Sequence, residues 1–216
     1  MLDAGVGRIP ASEYTEGASY VNKVRAYLAQ NSSSNGGASC IGDETQSPFG
    51  AWRNLVVFVA DDQDGNGGAN EAFHLNDADE LADTMNERYP EFDVAKIYLD
   101  AYKQESTPGG ERYPEAEEAI RNRVQNGCLL VTYLGHGGER GWSHERILDL
   151  NTISSWDNIN RLPVFLTATC ELARFDDPAV STAGELLVMN PDGGGIAMLT
   201  TTRVVFAGAN MAMNRA

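Results

Sequence analysis

Two apolar runs in this 216-residue chain each lead into a residue suited to nucleophilic catalysis. Residues 129–134 lead into His136, and residues 164–166 lead, through three small residues, into Cys170. A buried strand that stops at small residues presents the next side chain at the sheet edge, where open α/β sheets bind their ligands. The pattern therefore predicts a cysteine and a histidine on neighbouring strand ends.

The chemistry of such a pair sets further requirements. A thiol attacks a carbonyl carbon only as the thiolate, so a catalytic cysteine needs a nearby base and partial access to solvent. His136 can supply the base, because the glycines around it let a substrate backbone approach and offer an amide to an oxyanion. The 34 residues from His136 to Cys170 are enough for one crossover between adjacent parallel strands. From these residues alone, a structural cysteine and a loop histidine stay the alternative.

The remaining cysteines indicate no disulfide framework or metal site. Cys40, Cys128 and Cys170 cannot all be paired, and none belongs to a CxxC or CxxH motif. At least one thiol is therefore expected to be free. Cys128 directly precedes the apolar run at 129–134, which favours a small buried hydrophobic residue over a reactive one.

The chain is strongly acidic, with a formal net charge of −15 at pH 7 and a pI of about 4.5. This charge would repel a polyanion, which excludes nucleic acid as an expected partner. No apolar stretch reaches the roughly 20 residues that span a bilayer, and the N-terminus lacks the basic start and apolar middle of a signal peptide. We therefore expect either a cytosolic protein or a piece of a longer one.

The order of the predicted elements favours an α/β fold. Residues 55–60 form a continuous apolar run, which is typical of a strand covered on both faces in a parallel sheet. Proline and acidic residues open a helix predicted at 114–126, and Gly127 closes it. Further strands are predicted at 94–99, 129–134, 164–166 and 196–200, with helices at 76–88, 151–156 and within 178–189. This alternation predicts a right-handed, mostly parallel sheet sandwiched by helices.

The N-terminal part is predicted to be separate from this sheet. Residues 12–30 have the apolar spacing of one amphipathic helix, and the Asn-, Ser- and Gly-rich stretch 31–37 has too little apolar surface to order itself. We therefore expect residues 1–44 to form an N-terminal helix and linker, the remnant of a smaller subdomain. Residues 45–216 would form the main subdomain that carries the cysteine and the histidine.

An acidic, glycine-rich loop follows the first predicted strand. Asp61, Asp62, Asp64 and Asn66 cluster there as in a calcium-binding stretch, but the spaced ligands and distal glutamate of an EF-hand are missing. A structural calcium ion and a solvated turn are both compatible with this pattern. Because the loop lies at the carboxyl end of a strand, Asp62 is also a candidate for orienting His136 or lining the substrate pocket.

Other residues are candidates for the surroundings of the pair. Candidates for orienting it or lining its pocket are His74, Glu139, Trp142, His144 and Glu145. His74 can face the cleft or lie in a surface loop, and Trp142 can form a pocket wall. Glu171 would disfavour a thiolate if it pointed inward, so we expect it to face solvent or a basic partner such as Arg174.

The motifs around the pair resemble those of a known family. Residues 133–139, Tyr-Leu-Gly-His-Gly-Gly-Glu, and residues 167–171, Thr-Ala-Thr-Cys-Glu, resemble the His-Gly and Ala-Cys signatures of caspase-like cysteine peptidases, most closely the gingipain family. The likeness extends over nearly the whole chain. Segments similar to those of the family's type IX secretion sortases lie at 6–10, 59–62, 96–100 and 201–203.

The resemblance implies a caspase-like fold and a cysteine peptidase or transpeptidase at a bacterial cell surface. Cys170 would form a thioester with the cargo, His136 would protonate the leaving amine, and the backbone amides of Gly137 and Cys170 would stabilise the oxyanion. The implied partners are secreted cargo with a C-terminal signal domain, a surface glycolipid acceptor and other surface proteins of the secretion system. No cofactor is required by this chemistry.

Two alternatives share these motifs. A non-catalytic docking or scaffold domain would keep the fold without turnover, and a general secreted protease would apply the same chemistry to other substrates. Gingipains prefer basic residues, which requires a buried acid in the pocket, and the sequence assigns that role to no residue. The small, neutral cleavage sites expected of a sortase need no such acid.

Overall fold

The computed structural model describes residues 7–29, 50–63, 72–177 and 179–206. Its strands are β1 (Leu55–Ala60), β2 (Asp93–Tyr98), β3 (Glu105–Thr107), β4 (Gly110–Arg112), β5 (Leu130–Leu134), β6 (Gly137–Gly138), β7 (Gly141–Trp142), β8 (Leu148–Asp149), β9 (Val164–Ala168) and β10 (Ala197–Leu199). Its α-helices are α1 (Tyr14–Ala29), α2 (Phe73–Arg88), α3 (Pro114–Asn126), α4 (Leu150–Ser154) and α5 (Ala183–Met189).

Five of these strands form the central sheet, in the order β10-β9-β5-β1-β2. Every neighbouring pair in the sheet is parallel. Parallel neighbours need long crossover connections, and helices supply most of them here. The predicted mostly parallel sheet is therefore confirmed.

Helices cover both faces of this sheet, as the side chains of β1 show. Val57 and Val59 belong to a buried cluster that includes residues of α3 and α5. Val56 and Phe58, which alternate with them, pack with Ala82 of α2 on the opposite face. A strand buried on both sides has no position for a polar residue, which explains its uninterrupted apolar sequence.

Helix α1 is attached to this body by a buried lysine. The Nζ atom of Lys23 donates to the carbonyl oxygens of Val188, Asn190 and Gly193, at 3.1, 3.0 and 2.6 Å. Its three donors thus serve carbonyl groups at the end of α5, where the helix dipole favours a cation. Burial lowers the pKa of Lys23 to about 8. The boundary predicted at residue 44 lies outside the described residues.

Several predicted elements coincide with the structure, and two features were missed. The predicted strand at 55–60 and helix at 114–126 have the observed bounds. Missed were the hairpin of β3 and β4 and the small antiparallel sheet of β6, β7 and β8. Strands of two or three residues are too short to show an alternation of apolar and polar side chains.

Candidate active site

His136 and Cys170 follow neighbouring strands of the central sheet. Strand β5 pairs with β9, and the register places Leu134 opposite Ala168 at their carboxyl ends. His136 and Cys170 each stand two positions beyond this pair. Adjacent strands are about 4.8 Å apart, so both residues emerge side by side at one sheet edge. The predicted placement on neighbouring strand ends is confirmed.

The loops that carry the two residues are in direct contact. The backbone N–H of Gly135 donates to the carbonyl of Ala168 over 3.4 Å. A side chain at Gly137 would place its Cβ 2.4 Å from the hydroxyl oxygen of Thr169 and 2.8 Å from the backbone carbonyl oxygen of Gly141, so only glycine fits without a shift of the backbone. The glycine after His136 therefore lets the histidine loop lie directly against the residue that precedes Cys170.

Cys170 is half-buried, and its sulfur lies 3.9 Å from the carbonyl oxygen of Val205. The segment around Val205 runs beside the cysteine loop, where the N–H of Glu171 donates to the carbonyl of Arg203 over 3.4 Å. Cys128 differs sharply, because it is fully buried and burial raises its thiol pKa to about 12. Of these two thiols, only Cys170 is accessible to a substrate.

Glu171 is directed to a basic partner, as the sequence indicated. Its carboxylate lies 3.7 Å from the guanidinium of Arg174, which also binds Glu139 over 3.0 Å. Glu139 was predicted to orient the pair or line its pocket, and it borders the cavity beside it. The shared arginine holds both carboxylates beside the thiol in ion pairs.

All three histidines of the chain meet at this edge. The ring of His136 contacts His74 edge-on, with centroids 5.2 Å apart, and stacks on His144 at 5.5 Å. His74 is buried in the first turn of α2, so the surface-loop alternative was wrong. These two ring contacts restrict the rotation of the His136 side chain.

The backbone of His136 is fixed as firmly as its ring. Its N–H donates to Oδ2 of Asp61 over 2.7 Å. Its carbonyl accepts from the hydroxyl of Tyr133 at 2.6 Å and from the N–H of Ser143 at 2.8 Å. Sequence reasoning treated Asp61 only as a calcium ligand and missed this contact. Asp62, the predicted orienter, accepts a 2.7 Å hydrogen bond from Tyr113, and its role toward His136 stays a prediction.

Three buried carboxyl groups lie together behind His136. Ligand oxygens of Asp61, Asp62 and Glu145 are all within 4.8 Å of one another. The pKa of Asp61 is raised to about 7, chiefly by burial and also by the charges of Asp62 and Glu145, against the lowering effect of the His136 N–H. The calcium prediction also involved Asp64 and Asn66, which lie outside the described residues, and it stays a prediction.

Trp142 supports the site from the core. Its ring has no solvent-accessible surface and stacks on Tyr133, with centroids 4.4 Å apart and planes 8° from parallel. Although Trp142 borders the cavity, its indole is therefore not an open pocket wall. Tyr133 in turn donates to the His136 carbonyl, so the stacked pair braces the histidine loop.

Replacing Gly141 by alanine should disrupt this support. Gly141 has φ +148°, and an added Cβ would lie 1.9 Å from the carbonyl oxygen of Leu148. The small sheet must open to relieve this clash. We expect the opening to lower the free energy of unfolding by about 1–3 kcal/mol and to displace His144, which reduces peptide cleavage. Urea unfolding measures the change in stability, and initial rates measure the change in cleavage. Gly109→Ala, whose Cβ has only an ordinary 3.7 Å contact, is the control, and equal stability of the two variants would contradict the prediction.

The fold agrees with the comparisons to known proteins. The sequence profile described as Peptidase family C25 matches residues 1–216. The chain therefore belongs to peptidase family C25. No curated protein sequence matches it significantly.

Solved structures of gingipain share the fold. The Arg-specific cysteine proteinase gingipain R (RgpB) is 17% identical, with a TM-score of 0.68 over 97% of this chain and 42% of its own. The complex of the RgpB pro- and mature domains from Porphyromonas gingivalis is 18% identical, with a TM-score of 0.69 over 99% of this chain and 44% of the matched chain. A further protease is 17% identical, with a TM-score of 0.62 over 93% and 37%. This chain thus spans less than half the length of each of these three proteins.

Proposed function

We propose that the chain carries the catalytic centre of a cysteine peptidase, with Cys170 as nucleophile and His136 as general acid and base. The observation that supports this is the parallel pairing of β5 and β9, which brings a half-buried thiol and an imidazole to adjacent positions. Membership of peptidase family C25 makes proteolysis the expected use of such a pair. The glycine-rich turn after His136 leaves room for a substrate backbone.

The reaction would proceed through a thioester. The thiolate of Cys170 attacks the scissile carbonyl carbon, and the negative charge that develops on the oxygen would be stabilised by the N–H groups of Gly137 and Cys170. The C–N bond then breaks, and protonated His136 gives its proton to the leaving amine. In the second half, His136 removes a proton from water or from an amine, which attacks the thioester and releases the thiolate.

We further propose that the physiological reaction is that of a PorU-type sortase at the bacterial cell surface. The enzyme would remove the C-terminal signal domain of type IX secretion cargo and pass the new carboxyl end to water or to a glycolipid amine. Glu139 and Glu171 support this choice, since both carboxylates are bound to Arg174 and do not form an open acidic pocket for a basic side chain. No helix among the described residues is long and apolar enough to cross a membrane.

A general gingipain-like protease is the second candidate. The structural likeness to an Arg-specific gingipain favours it. Cleavage of peptides with arginine before the scissile bond, at rates above those for small neutral residues, would select this candidate over the sortase.

Selective modification of Cys170 tests the proposed chemistry. A peptide vinyl sulfone should label Cys170 and spare Cys128, because burial keeps the latter protonated and inaccessible. Mass spectrometry of the labelled protein locates the site, and His136→Ala should slow the labelling. Equal labelling of all thiols, or none at Cys170, would favour the non-catalytic scaffold. Cleavage of a cargo peptide with an added amine then distinguishes an amide product from a free acid.

A further inference from the structure

A cavity of about 890 Å³ opens beside the proposed catalytic pair. Gly137 and Glu171, which directly follow His136 and Cys170, line its near side. Arg140 and Arg146 line the same cavity, on the loops that flank β7. The cavity thus shares the residues next to the pair with two arginines.

These two arginines are not committed to partners within the described chain. No ion pair or hydrogen bond joins Arg140 or Arg146 to another described residue, whereas Arg174 is bound by Glu139 and Glu171. Asp149, also in the lining, caps α4 by accepting from the N–H of Thr152 over 2.9 Å. Each acid of the lining thus has a partner, whereas the Arg140 and Arg146 side chains have none among the described residues. The three arginines of the lining balance its three acids, so the cavity opposes an anion less than the rest of a chain of net charge −15 does.

The backbone holds Arg146 in an unfavourable conformation. Its φ is +57°, in the left-handed region where glycine or asparagine is the usual residue. Buried residues on both sides, Glu145 and Ile147, fix the chain there and leave the arginine side chain exposed. Such strain costs on the order of 1 kcal/mol and is concentrated at functional sites. The protein does not need this arginine for solubility, because its large net charge already keeps it soluble.

The neighbouring strand suits an extended peptide. β6 is at the edge of its three-stranded sheet, and a Cβ placed on Gly138 would meet no atom within 4 Å, so the strand face at this residue is uncovered. An edge strand can pair with a substrate backbone, whose alternate side chains then enter adjacent pockets. This geometry fits a polypeptide rather than a compact acceptor.

We propose that the cavity selects substrates with aspartate or glutamate near the scissile bond, through Arg140 and Arg146. The inference rests on the proposed peptidase function and gives that site its substrate class. Each exposed arginine pairs with a carboxylate in partly solvated surroundings, so its effect is modest. Together they should favour an acidic over a basic peptide by about tenfold at low salt.

Labelling rates test this selection at the reacting thiol. Three vinyl sulfone peptides of equal length, with aspartate, glutamine or lysine beside the reactive residue, are compared by their second-order rates at Cys170. The aspartate probe should react fastest, and its advantage should shrink at 0.5 M salt because screening shortens the reach of the charges. Arg140→Gln combined with Arg146→Asn should reduce the preference to within about twofold. Arg121→Gln, on the exposed face of α3, changes the net charge without touching the cavity and should keep it.

A binding measurement separates this inference from the proposed chemistry. The anisotropy of rhodamine-labelled acidic and basic peptides is followed with the Cys170→Ala protein, which cannot react. Tighter binding of the acidic peptide that is lost in the double arginine variant supports the inference. Failure of every probe to label Cys170 would contradict the peptidase proposal but not this binding result. Equal binding of both peptides overturns the inference. An arginine dependence seen only with a phosphate-bearing amine acceptor also overturns it, in favour of acceptor recognition.

Discussion

Replacing Cys170 by alanine will abolish peptide cleavage, with a loss of at least about a thousandfold, and will leave thermal stability nearly unchanged. The nucleophile forms the bond to the substrate, and its removal leaves only binding and oxyanion stabilisation to accelerate the reaction. The side chain is half-buried, and its described polar contact is a long 3.9 Å approach to the Val205 carbonyl. Its loss therefore removes little packing.

His136→Ala should have the same effect on cleavage. The imidazole carries the proton to the leaving amine, and the hydrogen bonds that position it are made by its backbone atoms, which alanine retains. The combined Cys170→Ala and His136→Ala variant should be no less active than either alone, because residues that act as one unit are not additive. Full cleavage by either single variant would overturn the catalytic assignment.

Cys128→Ser is the matched control for Cys170→Ala, because we expect it to lower stability and to leave cleavage unchanged. Cys128 has no exposed surface and belongs to the main apolar cluster. A hydroxyl in its place should cost about 1–3 kcal/mol of the free energy of unfolding, while cleavage per folded molecule stays close to wild type. Urea unfolding and initial cleavage rates, measured on wild type, Cys170→Ala and Cys128→Ser, therefore distinguish the catalytic thiol from the structural one.

The sequence was sufficient to predict the sheet and the placement of the pair. Continuous apolar runs have few interpretations, and a strand covered on both faces satisfies those at 55–60 and 130–134. Small residues after each run then locate the strand ends. The 34 residues from His136 to Cys170, enough for one crossover, then predict that these two strands are neighbours.

The contacts that hold His136 could not be predicted in the same way. Asp61 meets the His136 N–H across 75 positions of sequence, because β1 pairs directly with β5. A local pattern shows Asp61 only as the first of several acidic residues in a turn. The position of β1 between β2 and β5 requires the three-dimensional sheet order, which alternating elements do not specify.

The burial of Glu145 is a second feature that the sequence could not predict. In the sequence it stands between His144 and Arg146, a polar context that is typical of a solvated loop. The structure buries it, because Ser143 and Arg146 both adopt positive φ values of 54° and 57° and turn the intervening chain inward. Positive φ at residues other than glycine is rare, so no propensity would predict it.

The buried acids lead to a second large effect, on the pH dependence of stability. Burial is the main cause that raises the pKa of Asp61 to about 7 from its usual 3.8. Between these values the folded protein holds a proton that the unfolded chain releases, so this group stabilises the fold below about pH 4 and its contribution is lost as pH rises through 7. Asp61→Asn keeps an oxygen that can accept from the His136 N–H but cannot ionise. Its stability relative to wild type should therefore increase by about 2–4 kcal/mol from pH 4 to pH 8.

Urea unfolding of both proteins at several pH values, with EDTA present so that no divalent cation replaces the proton, measures this difference. Asp79→Asn serves as the control, because Lys96 lies 2.6 Å from Asp79 and its hydrogen bond lowers the pKa of that carboxyl group. Asp79 loses its stabilising effect only as pH falls below about 4, so the curves of wild type and Asp79→Asn should stay parallel from pH 4 to 8. Curves for wild type and Asp61→Asn that stay parallel from pH 4 to 8 would show that Asp61 is ionised behind His136.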